Sequence, residues 1–151
     1  MKNTNEEFVS FSTAELAKKV GFDWQVWEFF EGTSLKFSAS VKVIWLSTNL
    51  PEAQNYNKSD DLFTPAEIHH ISRPTQAHLQ KWLRSKHIHI HICYLEETKR
   101  WNTDMYYIKS ETILLNQVLQ FSKNRTYEQA LERGLLFVLK HLESNGSKSK
   151  R

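Results

Sequence analysis

Cysteine is almost missing from this chain: Cys93 is the single one in 151 residues. One thiol cannot close an internal disulfide, and it cannot build a zinc site of the several-cysteine kind. A lone thiol suits a reducing compartment, so a cytoplasmic location is expected. Long apolar runs are missing as well. No stretch of about 18 apolar residues occurs, so no membrane span and no membrane partner are expected. The opening MKNTNEEF has no apolar core of a secretion signal. The chain holds no G-x-S-x-G elbow, no P-loop and no G-x-G-x-x-G turn. Adjacent acids such as Glu6-Glu7 and Glu96-Glu97 point apart and make no paired carboxylates. Cys93 follows His91 on one strand face, yet no third residue can be named to orient the pair. A non-enzymatic role is the expectation. The net charge of +3 is too small to argue for nucleic acid by itself.

What remains is the composition of a globular protein. Hydrophobic residues make up 40% and charged residues 25%, both ordinary, and five tryptophans promise a core of large side chains. The length suits one domain with a real core. Periodicity places a single α+β domain at 8–144, with 74–144 as its main helix–hairpin–helix core and flexible tails at 1–7 and 145–151. Ser12 and Glu15 form a capping-box pattern for a helix over 12–20, which Gly21 stops in the left-handed conformation. Residues 24–48 alternate about the turn at Glu31-Gly32-Thr33-Ser34, predicting a hairpin with aromatics on both faces. Trp27 on an exposed face would mark a binding surface, or else simple cross-strand packing. The Asn-rich stretch 49–61 reads as a solvated loop, its Asp60-Asp61 pair a weak candidate for a divalent ion. Thr64-Pro65-Ala66-Glu67 suits one helical turn.

The stretch RPTQAHLQKWLRSKHIHIHI, Arg73 to Ile92, is the most informative. Leu79, Trp82 and Leu83 form one stripe of a helix over 75–86, with Ser72, Arg73 or Thr75 as its cap. A strand with period two follows: Ile88, Ile90 and Ile92 on one face, His87, His89, His91 and Cys93 on the other. Glu96 to Asn102 is turn-like and Met105 to Ile108 is the return strand, giving a hairpin over 88–108. Residues 111–121 fit a helix stripe and a strand equally well. Thr126 with Gln129 opens a last helix over 126–143, which Asn145-Gly146 ends. Its stripe is Tyr127, Leu131, Leu135, Val138 and Leu142. Gly134, in mid-helix, suggests a close backbone approach. The expected architecture is antiparallel hairpins packed by three helices.

Several of these runs also resemble a known family. Pro74-Thr75-Gln76, Lys81-Trp82-Leu83-Arg84, the His/Ile strand, Tyr106-Tyr107 and the segment TYEQALERGL at 126–135 are similar to small uncharacterised proteins of Bacteroides-type bacteria, their phages and mobile elements. Val20-Gly21-Phe22-Asp23 resembles the usual start of that family. The likeness covers most of residues 8–142. It implies a compact α+β fold, a mobile-element origin and homodimers, and it carries no catalytic residues over. The long loop at 49–61 and the density of histidine depart from the family pattern, so a metal site would be this chain's own.

Two constellations point to ligands. His87, His89 and His91 in every second place of a strand lie about 6.5–7 Å apart on one face, close enough for two imidazoles to reach one zinc ion. A third ligand would come from His69, His70 or Glu67, or from the Cys93 thiolate. The plain alternative is a solvated face opposite the isoleucines. The second constellation is a basic fringe of Arg73, Lys81, Arg84, Lys86, Lys99 and Arg100, with Trp101 and Tyr106 near it for base stacking. Glu96, Glu97 and Glu111 dilute it. The partners expected are a second copy of the chain, an unidentified protein, and nucleic acid as the alternative.

Overall fold

The structure, a computed structural model, describes residues 6–33, 42–45, 53–57, 68–109 and 112–148, with side chains over 6–30, 53–57, 70–108 and 124–145. The elements run α1 (Phe11–Lys19), β1 (Glu28–Thr33), β2 (Lys42–Trp45), β3 (Ile68–Arg73), α2 (Gln76–Ser85), β4 (Ile88–Leu95), β5 (Arg100–Lys109), β6 (Thr112–Asn124) and α3 (Tyr127–Lys148). This is the expected α+β class. The strands form two three-stranded antiparallel sheets, ordered β2-β1-β3 and β4-β5-β6. The chain divides into two compact units, Phe8–Pro74 and Thr75–Arg151 with Met1–Glu7. The division follows from β3, which no sequence period announces. Pairing with β1 from Ile68 to Arg73 draws the chain into the first unit up to Pro74.

In the unit Phe8–Pro74, α1 begins two residues earlier than Ser12 suggests. Ser10 is the N-cap and accepts from the Thr13 amide at 3.4 Å. Burial decides this start: Thr13 is fully buried, and the Phe11 ring meets Phe30 edge-on at 5.3 Å. The helix stops as expected. Gly21 takes φ +88, and the Gly21 and Phe22 amides bond back to the Lys18 and Ala17 carbonyls. Phe22, 1% exposed, closes over that end. β1 starts at Glu28 and continues as strand through Glu31, Gly32 and Thr33, where the sequence predicts a turn, because pairing with Lys42 on one side and His69 and Ile68 on the other holds these residues extended. Val26 exchanges two backbone hydrogen bonds with Gln54. The predicted solvated loop is structural over 53–57. Asn55 and Asn57 donate to the Asp23 and Phe22 carbonyls, Asn57 accepts from the Ser72 amide, and buried Tyr56 stacks on Phe29 at 4.3 Å. The predicted turn at 64–67, the Asp60-Asp61 pair and residues 34–41 lie outside the described residues, as do the side chains of Glu67 and His69.

The unit Thr75–Arg151 is two helices on one face of a sheet. Thr75 caps α2, accepting from the His78 amide at 3.2 Å. Leu79, Trp82 and Leu83 are the expected core stripe, each no more than 2% exposed. The ambiguous stretch 111–121 is strand. It pairs with β5 from Thr112 to Asn124, with irregularities at Trp101/Thr103 and Tyr107/Ile108. A local helical stripe there loses to backbone pairing with a neighbour already in place. α3 rests on Ile88, Ile90, Thr103 and Met105 through Ala130, Leu131, Leu135, Val138 and Leu139, all buried. The stripe thus gains Ala130 and Leu139, while Tyr127 and Leu142 remain partly exposed. Thr103 Oγ1 donates to the Ala130 carbonyl at 2.9 Å, and Gln76 Nε2 donates to Glu132 Oε2 at 3.1 Å. α3 also runs past its predicted end, through Gly146 to Lys148. Adding residues to a helix already formed is easy, and Ser144 Oγ bonds to the His141 carbonyl at 2.9 Å in that turn. Among the described residues no helix is long and apolar enough to cross a membrane.

Candidate functional site

Strand pairing dissolves the predicted histidine row. His87 is not in the strand: it follows α2 in a turn with φ +63, its amide bonded to the Arg84 carbonyl. β4 begins at Ile88, leaving His89, His91 and Cys93 on the face away from the buried isoleucines. Opposite them on β5 stand Tyr106, Asp104 and Asn102. Here the structure brings together residues that the sequence keeps apart. One ligand atom from each of His91, Cys93 and Asp104 lies within 4.8 Å of the other two. His91 Nδ1 is 3.9 Å from Asp104 Oδ2, with the imidazole 61% exposed and the carboxylate 16% exposed. Asp104 Oδ1 is buried without a hydrogen-bond partner among the described residues. His89 and His87 are not part of this group.

The electrostatics of the face follow from that carboxylate. Burial, then the Asp104 charge, pushes the Cys93 thiol up. Burial pushes the Tyr106 hydroxyl up too, helped by the Asp104 charge, a hydrogen bond to Asp104 and the charge of Cys93. Elsewhere on the unit, burial lowers the His78 pKa, Lys81 lowers it further, and Glu6 opposes them. A depressed folded-state pKa means that the unfolded chain binds the proton first. The stability this supports is present above the ordinary histidine value of about 6.5 and is lost as pH falls through the folded value. Thermal denaturation should therefore show the parent protein losing more stability than His78→Gln between about pH 7.5 and about pH 5. Equal losses in the two proteins would contradict this account.

The residues of the predicted basic fringe fall in both units. Arg73 belongs to the unit Phe8–Pro74, where its Nη1 sits 2.7 Å from Oε2 of Glu28, a side chain 2% exposed. Lys81, Arg84 and Lys86 are exposed along α2 and just past its end, with Lys86 Nζ 5.5 Å from the Trp82 ring. Lys99 and Arg100 lie beyond the far end of β4, a strand about 23 Å long from Ile88 to Leu95 at about 3.3 Å per residue, and Lys99 pairs with Glu96.

At that far end sits a second feature, which only the folded chain shows. Tyr94 meets Trp101 at 5.2 Å, and Trp101 meets Tyr127 at 5.6 Å, both edge-on. Tyr94 is 42% exposed, Leu95 41% and Tyr127 39%. They are three of the four exposed large hydrophobic residues among those described, Trp27 being the fourth. Around them in the chain stand Lys99, Arg100 and Arg125 with Glu96, Glu97 and Glu128. These flanking stretches carry three charges of each sign. No protein-family model, no curated protein and no solved structure matches the chain.

Proposed function

We propose that the protein is a non-enzymatic accessory module that acts by association, and that its first partner is a second copy of itself. The observation that carries this reading is the partly exposed Tyr94–Trp101–Tyr127 cluster with Leu95 beside it. Aromatic groups grouped at one end of a sheet mark an interaction surface rather than scattered surface residues. The mixed charge of the flanking stretches favours one partner. A two-fold interface sets the same patch against itself, so it needs both charge signs within one patch. Phosphate backbones need an excess of positive charge, and three acids beside three bases provide none. The reading extends the mobile-element origin and homodimer that the family resemblance implies. A cytoplasmic setting, where a lone thiol stays reduced, is part of the same proposal.

Sedimentation equilibrium over a range of protein concentrations tests it. The parent chain should pass from monomer to dimer. Tyr127→Glu and Tyr94→Glu, both at exposed positions, should weaken the dimer by at least about tenfold, since aromatic anchors dominate such interfaces. A parent chain that stays monomeric throughout would overturn the proposal. So would a dimer indifferent to both substitutions. If a labelled oligonucleotide shifts at low salt and the shift depends on Lys99 and Arg100, the nucleic-acid reading replaces it.

A further inference from the structure

We infer that His91, Cys93 and Asp104 form a binding site for one divalent transition-metal ion of the zinc class. The site lies on the open face of the β4–β5 hairpin and stands independently of the association surface. Three observations support it. First, the three residues supply a nitrogen, a sulfur and a carboxylate oxygen, and their ligand atoms are mutually within 4.8 Å. Second, the backbone frame is already set. His91 and Asp104 are directly paired across the two strands, and Cys93 is the next residue on the same face of β4. Paired positions bring Cβ atoms to about 4.5–5.5 Å, and next positions on a face are about 6.5–7 Å apart, both within reach of a shared ion. Third, Asp104 carries a buried oxygen, Oδ1, without a hydrogen-bond partner among the described residues. A buried acceptor in that state has unused capacity for a cation.

The donor set selects the metal. Thiolate and imidazole favour zinc and its neighbours over magnesium or calcium, which take all-oxygen shells. Zinc–nitrogen and zinc–sulfur bonds of about 2.0 and 2.3 Å need ligand atoms about 3.3–3.6 Å apart. The present separations are 3.9 Å between His91 and Asp104 and up to 4.8 Å within the group, about an ångström from what the ion needs. His91 is largely exposed and Cys93 half-buried, so both can turn. Binding replaces the thiol proton with the metal and releases that proton to solvent; no electrons move. The fourth position faces solvent on the His91 side and is left to water.

Cobalt(II) titration of the purified full chain tests the site, because a cobalt–thiolate bond gives a charge-transfer band that carboxylate and imidazole do not. One equivalent should bind with that band, and zinc should displace it. Cys93→Ser should abolish the band. His91→Ala, at an exposed position that spares the fold, should weaken binding by at least about tenfold, and Asp104→Asn should do the same. His87→Ala should leave affinity unchanged, because His87 sits in the preceding turn. No uptake by the parent chain would overturn the inference. So would uptake that survives both Cys93→Ser and His91→Ala, or uptake that depends on His87.

Discussion

Replacing Arg73 with Ala is expected to destabilise the protein by about 3–5 kcal/mol, the usual cost of stripping one partner from a buried ion pair. Glu28 is 2% exposed, and its Oε2 is 2.7 Å from Arg73 Nη1. The two residues face each other in the β1–β3 register, so the pairing of the strands fixes the geometry of the pair. The guanidinium does more than neutralise charge: its central carbon lies 4.7 Å from the Phe8 ring centre and 5.3 Å from that of Phe30. Lysine keeps the charge but loses the flat surface that rests on those rings, so Arg73→Lys should recover only part of the loss. The double variant Glu28→Gln with Arg73→Met removes both charges, and it should be closer to the parent than Arg73→Ala alone. Urea unfolding of the full chain, followed by circular dichroism, measures all four proteins. A loss below about 1 kcal/mol for Arg73→Ala would place the residue among ordinary surface ion pairs and sink the argument. It would also return Arg73 to the pool of cations available for nucleic acid, from which Glu28 now removes it.

That contrast shows what was legible in the residues alone. Arg73 reads from sequence as one more member of a basic fringe, because its partner is 45 positions away in the chain. Local period was enough for Leu79, Trp82, Leu83, Ile88 and Ile90, which are the core that their spacing predicts. It was enough for Gly21, whose left-handed conformation follows from its place after an apolar stripe. Period failed where pairing partners decide. Residues 111–121 fit a helix stripe and a strand alike by period, and pairing with β5 is what makes Thr112–Asn124 strand. The metal-site candidate shows the same division. His91 and Cys93 share a face by period alone, and that much is visible in the sequence. Asp104 is not, because its approach depends on where the hairpin turns. Closing the turn at Leu95–Arg100 sets Asp104 opposite His91, whereas a longer turn over Glu96 to Asn102 would move every pairing. His87 fell out of the row for a related reason. The reversal after α2 needs a residue with positive φ at that point, and the strand cannot begin until it is complete.

Gly134→Ala is expected to destabilise the protein by about 1–3 kcal/mol, although alanine is the better helix former. Two effects oppose each other at this position. In mid-helix, alanine gains about 1 kcal/mol over glycine through backbone entropy. Against that, a Cβ at 134 would stand 2.6 Å from Thr103 Cγ2 and 3.1 Å from Ile90 Cγ2. Neither neighbour can give way easily. Thr103 is fully buried, and its Oγ1 is committed to the Ala130 carbonyl at 2.9 Å, so turning the methyl aside breaks a buried hydrogen bond. Ile90 is 7% exposed and sits on the central core face of β4. Relief must therefore come from α3 lifting off the sheet, which loosens the packing of Ala130, Leu131 and Leu135 together. Steric conflict should exceed the propensity gain. Thr103→Ser is the discriminating partner, because it removes the offending methyl and keeps the hydroxyl. Combined with Gly134→Ala it should recover much of the loss, with a coupling of about 0.5–3 kcal/mol in a double-mutant cycle. Urea midpoints for the parent, the two single variants and the double variant give that coupling directly. A Gly134→Ala protein as stable as the parent would show that α3 is not seated on Thr103 at this distance, and that glycine here serves no close approach.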